Sequence, residues 1–360
     1  MSGPLNCSEY EQLAEELTDP GPWAFLSGGA ADESTLRANR GAYERWTFRP
    51  RVLVDVGDVS TETTVLGTPV SLPVLVAPIA FHRLFHADGE LATARAAAAE
   101  QTVFCVSTMT TYSHGEIAET APGLNQWAQL YVLNDLGATR AHLDDAVAAG
   151  VTAIVLTVDT PVLGRRERDL RAGFLVPADI PLPYVYGTLG NVPHNPATHI
   201  SLFSASVTWP DIEWIAEATK LPVVLKGVLT REDAALAVEH GAAGVIVSNH
   251  GGRQLDGAPA TLDALAEVAE GAAGRLEVLF DGGVRRGGDA VKALALGARA
   301  VLIGRPALWG LAVDGEAGVR QVLSLLREEI AVTLALLGCT SPGEVTRAHV
   351  QPAVPYDRPA

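Results

Sequence analysis

The chain is poor in lysine, with only Lys220, Lys226 and Lys292, and poor in cysteine, with only Cys7, Cys105 and Cys339. Cysteines so far apart form neither a disulfide framework nor a paired-thiol metal site, so they read as reduced structural thiols. Positive charge is scarce throughout. Lys plus Arg number 26 against 42 Asp plus Glu, a net charge of −16. That balance argues against nucleic acid or an anionic membrane as a partner, because both select basic surfaces. No apolar run approaches the roughly 18 residues that cross a bilayer. The N-terminal segment, with Glu9, Glu11, Glu15 and Glu16, lacks the basic and apolar form of a signal peptide. A cytoplasmic protein with small-molecule partners is expected. His82 and His86 lie four apart without a third ligand, so no metal is expected. No Gly-x-Ser-x-Gly elbow is present, which disfavours nucleophilic hydrolysis.

What the chain does have is length and apolar content: 360 residues, 48% hydrophobic, with 35 glycines. From about residue 72 onward, short β-branched runs alternate with alanine-rich helical stretches, the mark of βα units. The runs are Leu72–Ala77, Val103–Val106, Trp127–Val132, Ala153–Thr157, Pro222–Lys226, Gly244–Ser248, Glu277–Phe280 and Ala300–Ile303. Between them lie helix candidates Glu90–Glu100, Thr139–Ala149, Pro210–Thr219, Arg231–His240, Leu262–Glu270 and Gly288–Leu296, with Gly150, Gly241 and Gly297 placed as helix stops. An open doubly wound sheet alternates in the same way. Eight units instead predict an α/β fold of the TIM (β/α)8 barrel type, with function at the strand C-terminal ends. Residues 1–70 form a helical and hairpin preface, with Glu9–Leu17 helical and Arg49–Leu66 extended and capping the barrel bottom. A proline-rich stretch, Arg168–Thr208, follows strand four as a long loop of lid type. The whole of 1–360 reads as one domain, with the barrel at about 72–340. The tail Gln351–Ala360, with three prolines, is expected to fray.

Polar residues interrupt the apolar pattern just past the strand ends. Gln129 and Tyr131 close strand three, Thr157 and Asp159 strand four, Lys226 strand five, Ser248, Asn249 and His250 strand six, Asp281 strand seven and Arg305 strand eight. Lys226 is informative in a chain that otherwise uses arginine, since it places a compact cation at the end of a buried strand. In Ser248–Asn249–His250–Gly251–Gly252–Arg253–Gln254 an imidazole able to act as general base precedes a guanidinium able to hold a carboxylate by two parallel hydrogen bonds. Asp281–Gly282–Gly283–Val284–Arg285 and Gly304–Arg305 sit where barrels bind phosphate. A phosphorylated substrate and a phosphorylated cofactor such as FMN both fit those features.

The blocks resemble those of the FMN-dependent 2-hydroxy acid oxidases and dehydrogenases. The resemblance rests on Ser248–Gln254, Leu156–Pro161 with Gly164–Arg166, Gln129–Tyr131, Leu225–Gly227, Asp281–Gly283 and Ile303–Pro306, and it runs from about Tyr10 to Val350. It implies that FMN is the cofactor, that His250 is the base, with Asp159 stabilising its imidazolium, and that Arg253 pairs with the substrate carboxylate. It implies further that Arg166 and Tyr131 face the substrate, and that Lys226 lies at the flavin pyrimidine edge. Ala77–Pro78–Ile79–Ala80, Ser107, Gln129 and Thr157 would meet the flavin ring, with Ser248 nearby, and Asp281, Gly282, Gly283, Arg285, Gly304 and Arg305 would hold the ribityl phosphate. Phe25 stands where the family often has a tyrosine, which favours a larger or aromatic side chain; Met109 stands where it often has an aromatic residue, which leaves the preference open, with a lactate-like side chain as the other option. The implied reaction is oxidation of an (S)-2-hydroxy acid with O2 reduced to H2O2, in a homotetramer. A dehydrogenase with another acceptor, a flavin-dependent isomerase and a barrel without activity are the alternatives.

Overall fold

The computed structural model describes residues 3–185 and 201–353. Its centre is a closed ring of eight parallel strands: β1 (Val74–Val76), β2 (Val103–Val106), β3 (Asn125–Leu130), β4 (Ala153–Thr157), β5 (Val223–Val228), β6 (Gly244–Val247), β7 (Glu277–Asp281) and β8 (Ala300–Ile303). β8 pairs back onto β1, with Val301, Leu302 and Ile303 beside Val74, Leu75 and Val76. The expected TIM barrel is therefore present. Each strand leads to a helix, including the six expected ones and two that were not: His114–Thr120, and Arg305–Leu337, which breaks at Asp314 and Gly315.

Side chains alternate across a strand, so every second residue points into the barrel. Leu75, Val103, Cys105, Trp127, Ala153, Val155, Val224, Ile246, Leu279, Ala300 and Leu302 fill that interior as one buried cluster. Two residues further along the same inward faces, the side chains turn polar: Ser107 after Cys105, Gln129 after Trp127, Thr157 after Val155, Lys226 after Val224 and Asp281 after Leu279. One alternation thus builds both the core and the floor of the site.

The bottom is closed by an antiparallel hairpin, Thr63–Val65 with Thr68–Val70, whose Val65 and Val70 join the interior cluster. This corrects the expected extended segment, which ended at Leu66. The chain reverses there through Leu66 (φ 47°) and Gly67 (φ 76°) and returns. The rest of the preface has another role. Helices Pro20–Ser27 and Ser34–Gly41 sit at the opposite, C-terminal mouth, where Asn39 and Asn249 exchange side-chain hydrogen bonds of 2.8 Å and Tyr43 donates to Gly282 O at 2.7 Å.

The stretch after β4 is not the plain loop that its prolines predicted. It begins with helix Glu167–Ala172, then buries Phe174, Val176, Ile180, Leu182 and Val185 against Phe25, Phe81 and Met109. Pro177, Pro181 and Pro183 are described. Tyr186, Gly187, Pro193 and Pro196, together with most of the Gln351–Ala360 tail, lie outside the described residues.

Candidate active site

The mouth holds a cleft. Phe25, Pro78, Ile79, Ala80, Ser107, Met109, Gln129, Tyr131, Thr157, Arg166, Lys226, His250, Arg253, Asp281, Gly282, Gly283, Arg285, Gly304 and Arg305 all line it. Of the residues expected from sequence, only Asp159 and Ser248 do not reach its wall. Each stands directly behind a residue that does.

His250 follows β6 with a left-handed backbone (φ 59°), and Gly251 and Gly252 continue in the same region (φ 64° and 76°). A side chain with β-carbon is disfavoured there, and at Gly252 a Cβ would strike the Leu36 backbone at 2.6 Å. That turn aims the imidazole inward. Its Nδ1 lies 2.9 Å from Asp159 Oδ1, which also accepts from Thr160 Oγ1 at 2.9 Å. A carboxylate only accepts, so Nδ1 carries the proton and Nε2 keeps its lone pair for the cleft. Burial lowers the His250 pKa and Asp159 only partly offsets it, so the ring is held neutral near pH 7. Burial alone would raise Asp159, but His250, Lys226 and Thr160 outweigh it and keep the carboxylate ionised.

Lys226, at the end of β5, is almost fully buried and sits 3.2 Å from Asp281 Oδ2, donating also to Ser248 Oγ at 3.0 Å. Burial opposes its charge, yet Asp281 and Asp159 hold its pKa above the ordinary lysine value. Ser248 in turn accepts from the His250 amide at 3.1 Å. The cation and the base are thereby tied to one hydroxyl.

Four guanidiniums are gathered with few carboxylates. Arg253 donates to Phe25 O (2.5 Å) and Gly28 O (3.0 Å), and Arg305 to Leu26 O (2.8 Å), Gly28 O (2.9 Å) and Gly251 O (3.2 Å). These are mainly carbonyls at the C-terminal end of helix Pro20–Ser27, the negative end of its dipole. Arg166 donates to Arg253 O and to Gln254 Oε1. Arg285 donates to Val284 O and lies over the Trp309 ring at 4.5 Å. Burial, then mutual repulsion, pushes Arg253 well below the ordinary arginine pKa and Arg305 down to about 9. A guanidinium stays protonated in proteins, so the depression reflects buried positive charge that its neighbours do not offset. The cleft is built for anions, in a chain that is strongly acidic overall.

A phosphorylated flavin fits these residues. Asp281 Oδ1 is buried without a hydrogen-bond partner. Gly282 (φ 115°) and Gly283 (φ 77°) line the wall in left-handed backbone and pack so closely on Thr261 and Asn39 behind them that no Cβ fits, which brings the bare turn to the cleft. Arg285, Arg305 and the start of helix Arg305–Leu337 supply donors beside it. Next to Gly304, Ala77 to Ala80 present a mostly apolar wall. The free Asp281 oxygen is an acceptor, and so suits a hydroxyl of the sugar chain better than a phosphate oxygen.

Several cleft-lining side chains were not among the expected site residues, including Leu26, Phe81, Thr160, Leu163 and Phe203. Thr160 had a signal, being next to Asp159. Phe203 had none, for it reaches the mouth from the far end of the stretch after β4.

A barrel whose mouth pairs a neutral buried base with carboxylate-seeking arginines, beside a cradle for a phosphate-bearing ring, defines a flavin oxidoreductase. The chain belongs to the family of FMN-dependent dehydrogenases, whose model matches residues 14–352, and its cofactor is FMN. It is 51% identical over 352 residues to L-lactate oxidase of Nostoc sp., covering 94% of this chain and 96% of that protein. Glycolate oxidase of Spinacia oleracea is 46% identical over 361 residues, 99% of this chain and 97% of that one. A solved mandelate oxidase with (S)-4-hydroxymandelic acid superposes with a TM-score of 0.93 at 43% identity, covering 98% of this chain and all of that one. Among the described residues no helix is long and apolar enough to cross a membrane, and no His, Cys, Asp or Glu cluster could hold a metal ion.

Proposed function

We propose that this chain is an FMN-dependent (S)-2-hydroxy acid oxidase, which converts a 2-hydroxy acid and O2 into the 2-oxo acid and H2O2. One observation carries the reading: His250, its Nδ1 held by Asp159, lines the same cleft as Arg253 and Arg166. A molecule bearing adjacent carboxylate and hydroxyl groups matches that pairing. The names of the lactate, glycolate and mandelate oxidase relatives support it.

Arg253 and Arg166 bind the carboxylate and orient the substrate, which relieves the positive charge stored in the cleft. Tyr131, its ring in the cleft, donates to a substrate oxygen. His250 takes a proton from the bound 2-hydroxy acid, and Asp159 stabilises the imidazolium that forms. Bound FMN would supply the two-electron acceptor, taking the two electrons and the remaining hydrogen of the substrate, with dioxygen as the final oxidant. Ser107, Gln129, Thr157 and Lys226 would hold its ring, Asp281 a ribityl hydroxyl, and Gly283, Arg285, Gly304 and Arg305 its phosphate. Phe25, Phe81, Met109, Leu163 and Phe203 bound the side-chain end, which suits an apolar group, lactate-like or aromatic. The described parts of the stretch after β4, residues 168–185 and 201–208, serve as a cover of the cleft within a single working domain; Phe174 packing on Phe25 at 5.6 Å supports this. The protein works in the cytoplasm as a homotetramer.

His250→Asn tests the assignment. Purified variant should retain FMN and lose roughly two or more orders of magnitude in turnover; near-normal turnover refutes it. Peroxide formed per substrate oxidised identifies the acceptor, and rapid dye reduction with little peroxide would replace O2 by another one.

A further inference from the structure

The catalytic cleft has a neighbour. A second cavity, about 270 Å³, lies between the ends of β4 and β5 and helix Pro210–Thr219, with Val132, Leu156, Val207, Trp209, Ile212 and Val228 among its walls. The two spaces share Tyr131, Thr157, Thr160 and Phe203 as common walls. Of these four, Thr157 ends a barrel strand and Tyr131 follows one directly, whereas Phe203 comes from outside the barrel.

Phe203 is held firmly. Its neighbours make a strand-like bridge to the segment after β3: Ser204 N donates to Val132 O and Asn134 N to Leu202 O, both at 2.7 Å. Asn134 Nδ2 adds a bond to Ser201 O at 3.0 Å. The ring itself is 6% exposed and stacks on Tyr131, centroids 4.4 Å apart and planes within 17°. The stacked pair is a partition. On one side are the base and the arginines. On the other, the described walls carry no Arg, Lys or His, and the single charged side chain is Asp233. That space does not attract an anion. An apolar tail fits it.

We propose that Phe203 sets the length limit of the substrate side chain, and that the cavity behind it is a latent extension pocket for the apolar end of a longer 2-hydroxy acid. The inference rests on the oxidase reading above. With the carboxylate held at Arg253 and Arg166, a tail that outgrows the cleft meets the Phe203 ring. Removing that ring joins the two spaces without touching the base, the arginines or the flavin cradle.

The test compares (S)-lactate with (S)-2-hydroxyoctanoate on wild-type protein, Phe203→Ala, Phe203→Val and the double variant Phe203→Ala/Val207→Phe, all loaded with FMN. In Phe203→Ala the ratio of kcat/KM for the long acid to that for lactate should rise at least tenfold, chiefly through a lower KM for the long acid. Phe203→Val should shift the ratio in the same direction by less, and gives the reading if Phe203→Ala does not retain FMN. Val207→Phe, which refills the second cavity, should return the ratio of the double variant towards wild type. Any loss of Tyr131 positioning lowers kcat for both acids alike and leaves the ratio unmoved. A ratio within threefold of wild type in an active variant overturns this inference alone. Failure of the wild-type protein to oxidise any 2-hydroxy acid overturns it together with the oxidase reading.

Discussion

Asp159→Asn separates the work of the buried carboxylate from that of the base it holds. The carboxylate sits 2.9 Å from His250 Nδ1 and does not line the cleft, so substrate and FMN contacts survive the change. A hydrogen bond to a charged group contributes about 1.5–3 kcal/mol, and two unit charges about 4 Å apart near a protein surface interact by about 4 kcal/mol. At about 1.36 kcal/mol per tenfold in rate, the loss of imidazolium stabilisation should cut turnover between about 10-fold and 10³-fold. The pH profile carries the sharper signature. His250 is active when neutral, so activity is lost as pH falls through its pKa, which burial already places below the ordinary imidazole value. Asp159 raises that pKa, hence its removal lowers it further and moves the acid limb of kcat/KM to lower pH while the plateau falls. Steady-state rates across pH, with FMN content checked by absorbance, measure both. An unchanged plateau, or an acid limb shifted to higher pH, would refute the reasoning.

Two further substitutions probe the charges. Lys226→Met leaves Asp281 as a buried unpaired carboxylate and should cost about 3–5 kcal/mol of stability; adding Asp281→Asn should recover part of it, and strict additivity in denaturant titrations would contradict the pairing. Arg253→Met should lower kcat/KM for 2-hydroxy acids by about 10- to 10²-fold, the worth of a charged hydrogen bond, while raising thermal stability of the substrate-free protein or leaving it unchanged, because one member of a repelling cluster is gone. Calorimetry and initial rates check the pair of effects.

The barrel was legible because its eight strands are buried on both faces and read as continuous apolar runs. Edges were less so: Trp127–Val132 proves to be Asn125–Leu130, since Asn125 and Gln126 pair with Val103 and Phe104 despite their polarity. The returning strand of the bottom hairpin was hidden because Leu66 occupies a left-handed turn position where Asn or Gly would signal the reversal. His114–Thr120 was missed, being short, although Ser113 and Glu116 form a capping box at its start. The chemistry of the mouth was legible where a polar residue closes an apolar run, as at Lys226 and Asp281. Phe203 was not, because its place depends on a bridge to Leu133 across 70 positions of chain, and no local pattern encodes that contact.

The central claim is tested most directly by mixing the FMN-loaded protein anaerobically with (S)-lactate, glycolate, (S)-mandelate and (S)-4-hydroxymandelate and following the visible flavin band. At least one acid should bleach the band, and readmitted air should restore it with one H2O2 formed per 2-oxo acid. A band that stays unbleached by every acid in the panel would contradict the account.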